Sequence, residues 1–261
     1  MANKSLGFIG GGRVTRIVLG GLKKAGRMPE DIIVSDINAE ILQKLKIDFP
    51  EIVIAPNDNT APAEKEIIFL AVHPPAMSSV LNEIKAFVKP TTFLVSLAPK
   101  VSIKSILDSI KCFPKIARMI PNAGSIVNQG YNPIAFADTL SEKDKQSLLD
   151  LISVLGECPV VPEQKLEAYA VITGMGPTYF WFQLNELKEL AKSFGLSEKE
   201  AENGITKMVV GTVKTLFESG LNPAQVMDLI PVRPLAEKEG EIKNIFRSIL
   251  EPLYKKLKGI A

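Results

Sequence analysis

The chain is poor in the residues that build metal centres and disulfide frameworks. Its 261 residues include one histidine, His73, and two cysteines, Cys112 and Cys158. Neither cysteine sits in a C-x-x-C or a Cys/His cluster, so no metal site is expected. The two thiols read instead as small apolar residues buried in a protein of the reducing cytoplasm. No apolar run approaches the ~18 residues of a membrane span. The first strand begins almost at the N-terminus, which leaves no room for a signal peptide. Charge of one sign is scarce too: 31 basic residues face 29 acidic ones, for a net +2. They are interspersed, without the basic stripe or polybasic patch that nucleic acid or a membrane surface demands. Repeats and low-complexity tracts are missing. What is present is a 46% hydrophobic composition, enough for a substantial core in one large or two modest domains.

The most informative segment is the first fifteen residues. Leu6-Gly7-Phe8-Ile9 is a short apolar strand, and it runs straight into Gly10-Gly11-Gly12-Arg13-Val14-Thr15. Val14, Ile17, Val18 and Leu22 then recur at helical spacing. A strand, a glycine loop and a helix in this order wrap a pyrophosphate: glycines let the backbone approach, and the helix offers unpaired N–H groups and its positive end. A second strand, Ile32-Ile33-Val34-Ser35, stops at Asp36. That acid lies about 20 residues beyond the loop, where a ribose-binding carboxylate belongs. Thr15 departs from the pattern, because it stands where a third small residue packs helix against strand.

Residues 1–160 alternate apolar runs with helical segments. Ile67–Val72, Phe93–Leu97, Ile116–Met119 and the stretch around Ile134–Phe136 read as further strands. Such alternation predicts an α/β domain, a Rossmann-type doubly wound parallel sheet with helices on both faces. Ligands then bind beyond the carboxyl ends of the strands, so loops 10–13, 36–38, 73–75, 98–100 and 120–124 should converge. From 163 to 261 the texture becomes all-helical. Pro177 opens a helix that Gly195 closes, Ser197-Glu198-Lys199-Glu200 has the form of a capping box, and Asn222-Pro223 opens another helix. The wide apolar stripes of this half suit either a core or a second subunit, so a homodimer or higher homo-oligomer is expected.

Several residues are candidates for the site, each with a plainer reading beside it. His73 ends the third apolar run and is either a catalytic acid or a solvated loop residue contacting the cofactor. Asn59 reaches an adenosine ribose or merely turns the chain. Asn122 orients a nicotinamide amide or a substrate, or serves an ordinary Pro-Asn turn. Thr173-Gly174-Met175-Gly176-Pro177 exposes backbone N–H groups to an anionic substrate, or uses its glycines for close helix packing.

These segments together resemble the pyrroline-5-carboxylate reductase family over nearly the whole chain. The family's glycine loop matches Gly7-Phe8-Ile9-Gly10-x-Gly12, and its asparagine before the third strand matches Asn59. Its A-V-K-P-Q turn reads Ala71-Val72-His73-Pro74-Pro75, and its R-x-M-P-N-T-P reads Arg118-Met119-Ile120-Pro121-Asn122-Ala123-Gly124. Its S-G-S-G-P-A-Y reads Thr173-Gly174-Met175-Gly176-Pro177-Thr178-Tyr179. The resemblance implies an NAD(P)H-dependent reductase acting on a cyclic imine to give proline, with a Rossmann domain and a helical dimerisation domain. Mapped on this chain, the cofactor would meet Gly10, Gly11, Gly12, Arg13, Val14, Asp36, Asn59, Ala71, Val72, His73 and Ala98. Asn122 and Thr173 are the catalytic candidates. Gly174, Met175, Gly176 and Arg233 are the substrate-binding ones.

The chain departs from the family at 229–237. The family's V-T-S-P-G-G-T-T is replaced by Leu229-Ile230-Pro231-Val232-Arg233-Pro234-Leu235-Ala236-Glu237. Arg233 becomes the group in that segment able to clamp a carboxylate, unless it is a surface residue. Two other functions remain open. One is an NAD(P)-binding sensor or scaffold without turnover. The other is a β-hydroxyacid dehydrogenase, which would want a lysine one turn after the glycine motif. Here that turn holds Tyr179, Phe180 and Trp181, and the first lysine is Lys188. For the cofactor, Asp36 tilts the choice slightly to NAD(H) over NADP(H), since Ile37 and Asn38 bring no arginine for a 2′-phosphate.

Overall fold

Strand and helix alternate along the first 110 residues, as the apolar runs require. In the computed structural model, which describes residues 4–110, 112 and 114–260, β1 (Leu6–Ile9) leads into α1 (Arg13–Lys24) and β2 (Ile32–Asp36) into α2 (Ala39–Asp48). Then come β3 (Val53–Pro56), α3 (Thr60–Ala63), β4 (Ile67–Leu70), α4 (Pro74–Ile84), β5 (Phe93–Ser96), α5 (Ile103–Ser109) and β6 (Lys115–Met119). The chain continues through β7 (Gly130–Tyr131), β8 (Ile134–Phe136), α6 (Glu142–Ile152) and β9 (Gly156–Glu157).

The main sheet has the order β3-β2-β1-β4-β5-β6-β8. It reverses direction between β1 and β4, the switch point at which doubly wound sheets take dinucleotides. Neighbours pair in parallel up to β6, and β8 returns antiparallel, with Arg118 opposite Ala135. The antiparallel edge is a departure from the all-parallel expectation, and its cause is the short connection: a 3-10 turn at Ala123–Val127 and a two-residue strand leave no room for a crossover helix. Strands β1, β4 and β5 are buried throughout, which is why they read as unbroken apolar runs. Phe8 and Phe69 stack across β1 and β4 with ring centroids 4.8 Å apart. Strand β3 has no such signature, because it is an edge strand of four residues with Val53 exposed.

The chain divides into two compact units, Met1–Met175 with Leu253–Ala261, and Gly176–Pro252. The first unit therefore includes α7 (Leu166–Tyr169) and the single π-turn Ala170–Gly174 that follows it. The second is built from α8 (Pro177–Ser193), α9 (Glu198–Glu218), α10 (Pro223–Asp228) and the first part of α11 (Glu239–Lys258), which carries Pro252 inside it. Helix α9 starts with the expected capping box: Ser197 Oγ accepts from the Glu200 N–H, and Glu200 accepts the Ser197 N–H at 2.8 Å. Asn222 and Gln225 form a second capping box on α10. In these four helices Ala201 is the sole buried residue among those described, so their apolar stripes face outward.

Candidate active site

The N-terminus of α1 has no side-chain cap and no acidic residue in its first turn. Helix ends leave N–H groups unpaired, and an uncapped positive end suits an anion. The loop before it fits the same ligand. Gly10 has a left-handed φ of +104°, and a Cβ there would lie 2.5 Å from the Ala71 carbonyl oxygen. At Gly12 an added Cβ would meet nothing within 4 Å, so that face of the loop opens on free space. Thr15 resolves its conflict with the small-residue pattern by local bonding. Its side chain is fully buried, and its hydroxyl donates to the Gly10 carbonyl. A methyl and a satisfied hydroxyl replace the missing small residue without an orphaned polar group.

Asp36 ends β2 beside this loop. Its Oδ2 accepts the Gly11 N–H at 2.8 Å and its Oδ1 accepts the Asn38 N–H at 2.8 Å. Asn38 caps α2, accepting from the Glu40 and Ile41 N–H groups. The Asn59 amide is engaged at both ends: Oδ1 accepts from Ser35 Oγ at 2.7 Å, and Nδ2 donates to Glu83 at 2.9 Å. Ala71 and Val72 are half-buried after β4, with the Ala71 N–H donating to the Ile9 carbonyl. His73 is exposed at the start of α4 and caps it with no side-chain bond. Ala98 is buried after β5, and its N–H reaches Ser96 Oγ at 3.4 Å.

The end of β6 carries an arrangement to which the sequence pattern alone assigns no role. Arg118 is 3% exposed, and its two terminal nitrogens each lie 2.8 Å from a carboxylate, Glu163 and Glu167. The same carboxylates accept backbone N–H groups from the β5–α5 loop, Glu163 from Ile103 at 2.8 Å and Glu167 from Lys100 at 3.4 Å. One buried guanidinium thus ties the sheet, that loop and the 163–167 segment together. The signal was available: an arginine inside the apolar strand Lys115–Met119 needs buried partners, and Glu163 and Glu167 are spaced to share one helical face.

Asn122 and Thr173 are brought together. Asn122 Nδ2 donates to the Thr173 carbonyl at 2.6 Å, its Oδ1 accepts the Gly124 N–H at 2.9 Å, and its own N–H donates to Asn132. The Thr173 hydroxyl bonds back to the Tyr169 carbonyl within the π-turn. Gly174 packs closely, since a Cβ there would lie 3.0 Å from Ile120 Cγ2. Met175 closes the first unit, its N–H donating to the Ala170 carbonyl. Gly176 is buried, and its carbonyl accepts the Tyr179 N–H at the start of the second unit. In that unit Arg233 lies 2.5 Å from Glu239, an exposed pair that joins the 229–237 turn to α11. Lys243, more than Arg233, holds the Glu239 carboxyl below the usual range. Lys188 lies 3.5 and 3.8 Å from Glu198 and Glu202 of α9.

Among the described residues no group of three or more His, Cys, Asp or Glu side chains could hold a metal ion, and no helix is long and apolar enough to cross a membrane. Both cysteines are only part-buried against the core. Burial pushes the Cys158 thiol up to about 11, against a weaker lowering by the neighbouring Asn132 side chain.

A doubly wound sheet with an uncapped helix behind an open glycine loop defines a dinucleotide-binding protein of the Rossmann class. Residues 5–100 match the family model described as NADP oxidoreductase coenzyme F420-dependent, and residues 163–232 match that described as pyrroline-5-carboxylate reductase dimerisation. The chain is 27% identical to the pyrroline-5-carboxylate reductase of Methanosarcina acetivorans over 88% of its own length and 85% of that protein's. It is 26% identical to the Escherichia coli enzyme of the same name, over 87% and 84%. Its fold is that of a Plasmodium falciparum pyrroline carboxylate reductase solved with NADP bound, with a TM-score of 0.82 at 22% identity, covering 100% and 99% of the two chains. A Coxiella burnetii pyrroline-5-carboxylate reductase superposes with a TM-score of 0.69 at 25% identity, covering 98% and 95%. Both halves of the chain are thus similar to pyrroline-5-carboxylate reductases.

Proposed function

We propose that the protein is an NAD(P)H-dependent reductase of the C=N bond in a small cyclic imino acid, a reaction of the proline-forming type. The observation that carries this reading is the pairing, in one chain, of a glycine loop open at Gly12 with family matches on both halves. The dinucleotide would be held by the Gly10, Gly11, Gly12, Arg13 and Val14 backbone at the α1 N-terminus, with Asp36 at the ribose. Ala71, Val72, His73 and Ala98 would line its path along the strand ends. When bound, it supplies a hydride to the imine carbon while the ring nitrogen ends as an amine. If the imine arrives protonated, the protein needs no strong acid: its task is to place the electrophilic carbon and exclude water. That matches a site in which the Asn122 amide is held in place by donating to the Thr173 carbonyl.

The exposed apolar helices of the second unit support assembly as a homo-oligomer, and we propose a dimer as its smallest form. A groove of about 490 Å³ between α8 and α11, lined by Tyr179, Phe182, Ile242, Ile245, Phe246 and Ile249, adds to that apolar surface.

The test is spectrophotometric: oxidation of NADH or NADPH at 340 nm with a panel of cyclic imines. Turnover above background with a carboxylated ring is the expected result. Tight dinucleotide binding with no turnover on any imine would sink the enzymatic reading and favour a cofactor sensor.

A further inference from the structure

Lys100 lies in the loop after β5 with a left-handed φ of +70°. Asn57 and Asn128 are the other non-glycine residues with positive φ among those described. Asparagine visits this region more readily than other side chains do, and the Asn128 amide is satisfied there by donating to the Gly21 and Val154 carbonyls. A lysine gains no such relief, so something else must hold it. That something is Glu167, which accepts the Lys100 N–H while bound to the buried Arg118. Three residues on, Glu163 grips the Ile103 N–H from the other arm of the same guanidinium. The loop is clamped at both ends.

The side chain is the reverse. Lys100 is exposed, and among the described residues its ammonium has no ion-pair or hydrogen-bond partner. A free cation on a strained, rigid base at the carboxyl edge of a doubly wound sheet is the pattern of a ligand-facing residue. Its position also selects the ligand. The glycine loop follows β1 and Asp36 ends β2, whereas β4 separates β1 from β5. At the usual strand spacing Lys100 is roughly 10 Å along the sheet from the pyrophosphate loop, away from the ribose acid. It is therefore poorly placed for the cofactor's phosphates. Arg233, the other candidate cation, is already paired with Glu239.

We propose that Lys100 binds the carboxylate of the ring substrate, an inference that rests on the reductase reading above. The test is steady-state kinetics on 1-pyrroline-5-carboxylate and on 1-pyrroline, the same ring without the carboxylate. Lys100→Gln should raise KM for the carboxylated ring about 30-fold, the loss typical of removing one partner of a charged pair. Turnover of 1-pyrroline and NADH affinity should stay within about twofold, and Lys100→Arg should keep most of the preference for the carboxylate. Because glutamine is strained at this φ, Lys100→Gly, which suits it, must lose the same discrimination. An active wild type whose Lys100→Gly variant keeps both its KM and its preference would overturn the assignment of Lys100 alone. A wild type that reduces neither ring would overturn the reductase reading, and this inference with it.

Discussion

The carboxylate of Asp36 holds the backbone N–H of Gly11 at 2.8 Å, so the acid at the end of β2 helps to shape the glycine loop. Each carboxylate oxygen has a lone pair left after its one backbone bond, enough to accept from ribose hydroxyls. A 2′-phosphate would instead meet that negative charge. NADH is therefore expected to bind more tightly than NADPH. Asp36→Asn, which keeps an acceptor for Gly11 and removes the charge, should shift the ratio towards NADPH by about tenfold. Titration calorimetry with both cofactors reads this directly, and a wild type that prefers NADPH would contradict it.

Gly12 and Gly10 should separate binding from folding. Space surrounds a Cβ built at Gly12, whose φ of −74° suits any residue, so Gly12→Val should fold normally. Its branched side chain would occupy the room a pyrophosphate needs, and dinucleotide affinity should be lost. Gly10→Ala should behave in the opposite way: with φ at +104° and the Ala71 carbonyl at 2.5 Å, it should cost at least about 1–3 kcal/mol of stability. Denaturant unfolding beside calorimetry distinguishes the two.

What was legible in the sequence follows from what each residue does locally. The central strands, α1 and the Ser197 capping box are written in neighbouring residues, through burial on both faces or fixed spacing. Strand β3 was not, because an exposed edge strand lacks an apolar run. The antiparallel return of β8 depends on loop length more than on its own residues. Within the site, Gly10 and Asp36 announced themselves by pattern. The Arg118–Glu167 contact spans 49 positions, and no local period records it. The left-handed backbone of Lys100 was hidden for the same reason: it is imposed by a distant carboxylate, and lysine is no turn signal.

Arg118 should be among the most costly positions to truncate. Its removal leaves the nearly buried Glu167 carboxylate without its cation, and breaking such a pair from one side costs about 3–5 kcal/mol. Arg118→Met should show that loss in urea unfolding. Adding Glu163→Gln and Glu167→Gln should recover much of it, because no uncompensated charge then remains. Equal stability of the single and triple variants would argue against the ion pairs as the cause.

Cys158 gives a pH window. Its folded thiol, raised by burial to about 11 from an ordinary 9.0, keeps its proton where the unfolded thiol would lose it. Its stabilising contribution is thus complete below pH 9 and declines as pH rises towards 11. The stability difference between wild type and Cys158→Ala should shrink across that interval. At pH 8 the native thiol should also react with iodoacetamide far more slowly than after unfolding, as mass spectrometry of the modified peptide would report.

Assembly should depend on the outward apolar faces of α8 and α9. Phe217 is 76% exposed and Phe182 69%, with Trp181 and Phe180 beside the latter. Side chains of this size left in water forgo about 1.5–3 kcal/mol each, and together they exceed what a soluble monomer ordinarily shows. A charge set into such a face must be desolvated when a second copy covers it. Phe217→Asp is therefore expected to convert the protein to a monomer at micromolar concentration. The sheet unit should remain folded, because α9 contributes just Ala201 to the buried residues of its own unit. Light scattering gives the mass and far-ultraviolet circular dichroism the fold. A wild type that is monomeric in the same buffer would defeat the proposal, and so would a Phe217→Asp variant that keeps the wild-type mass.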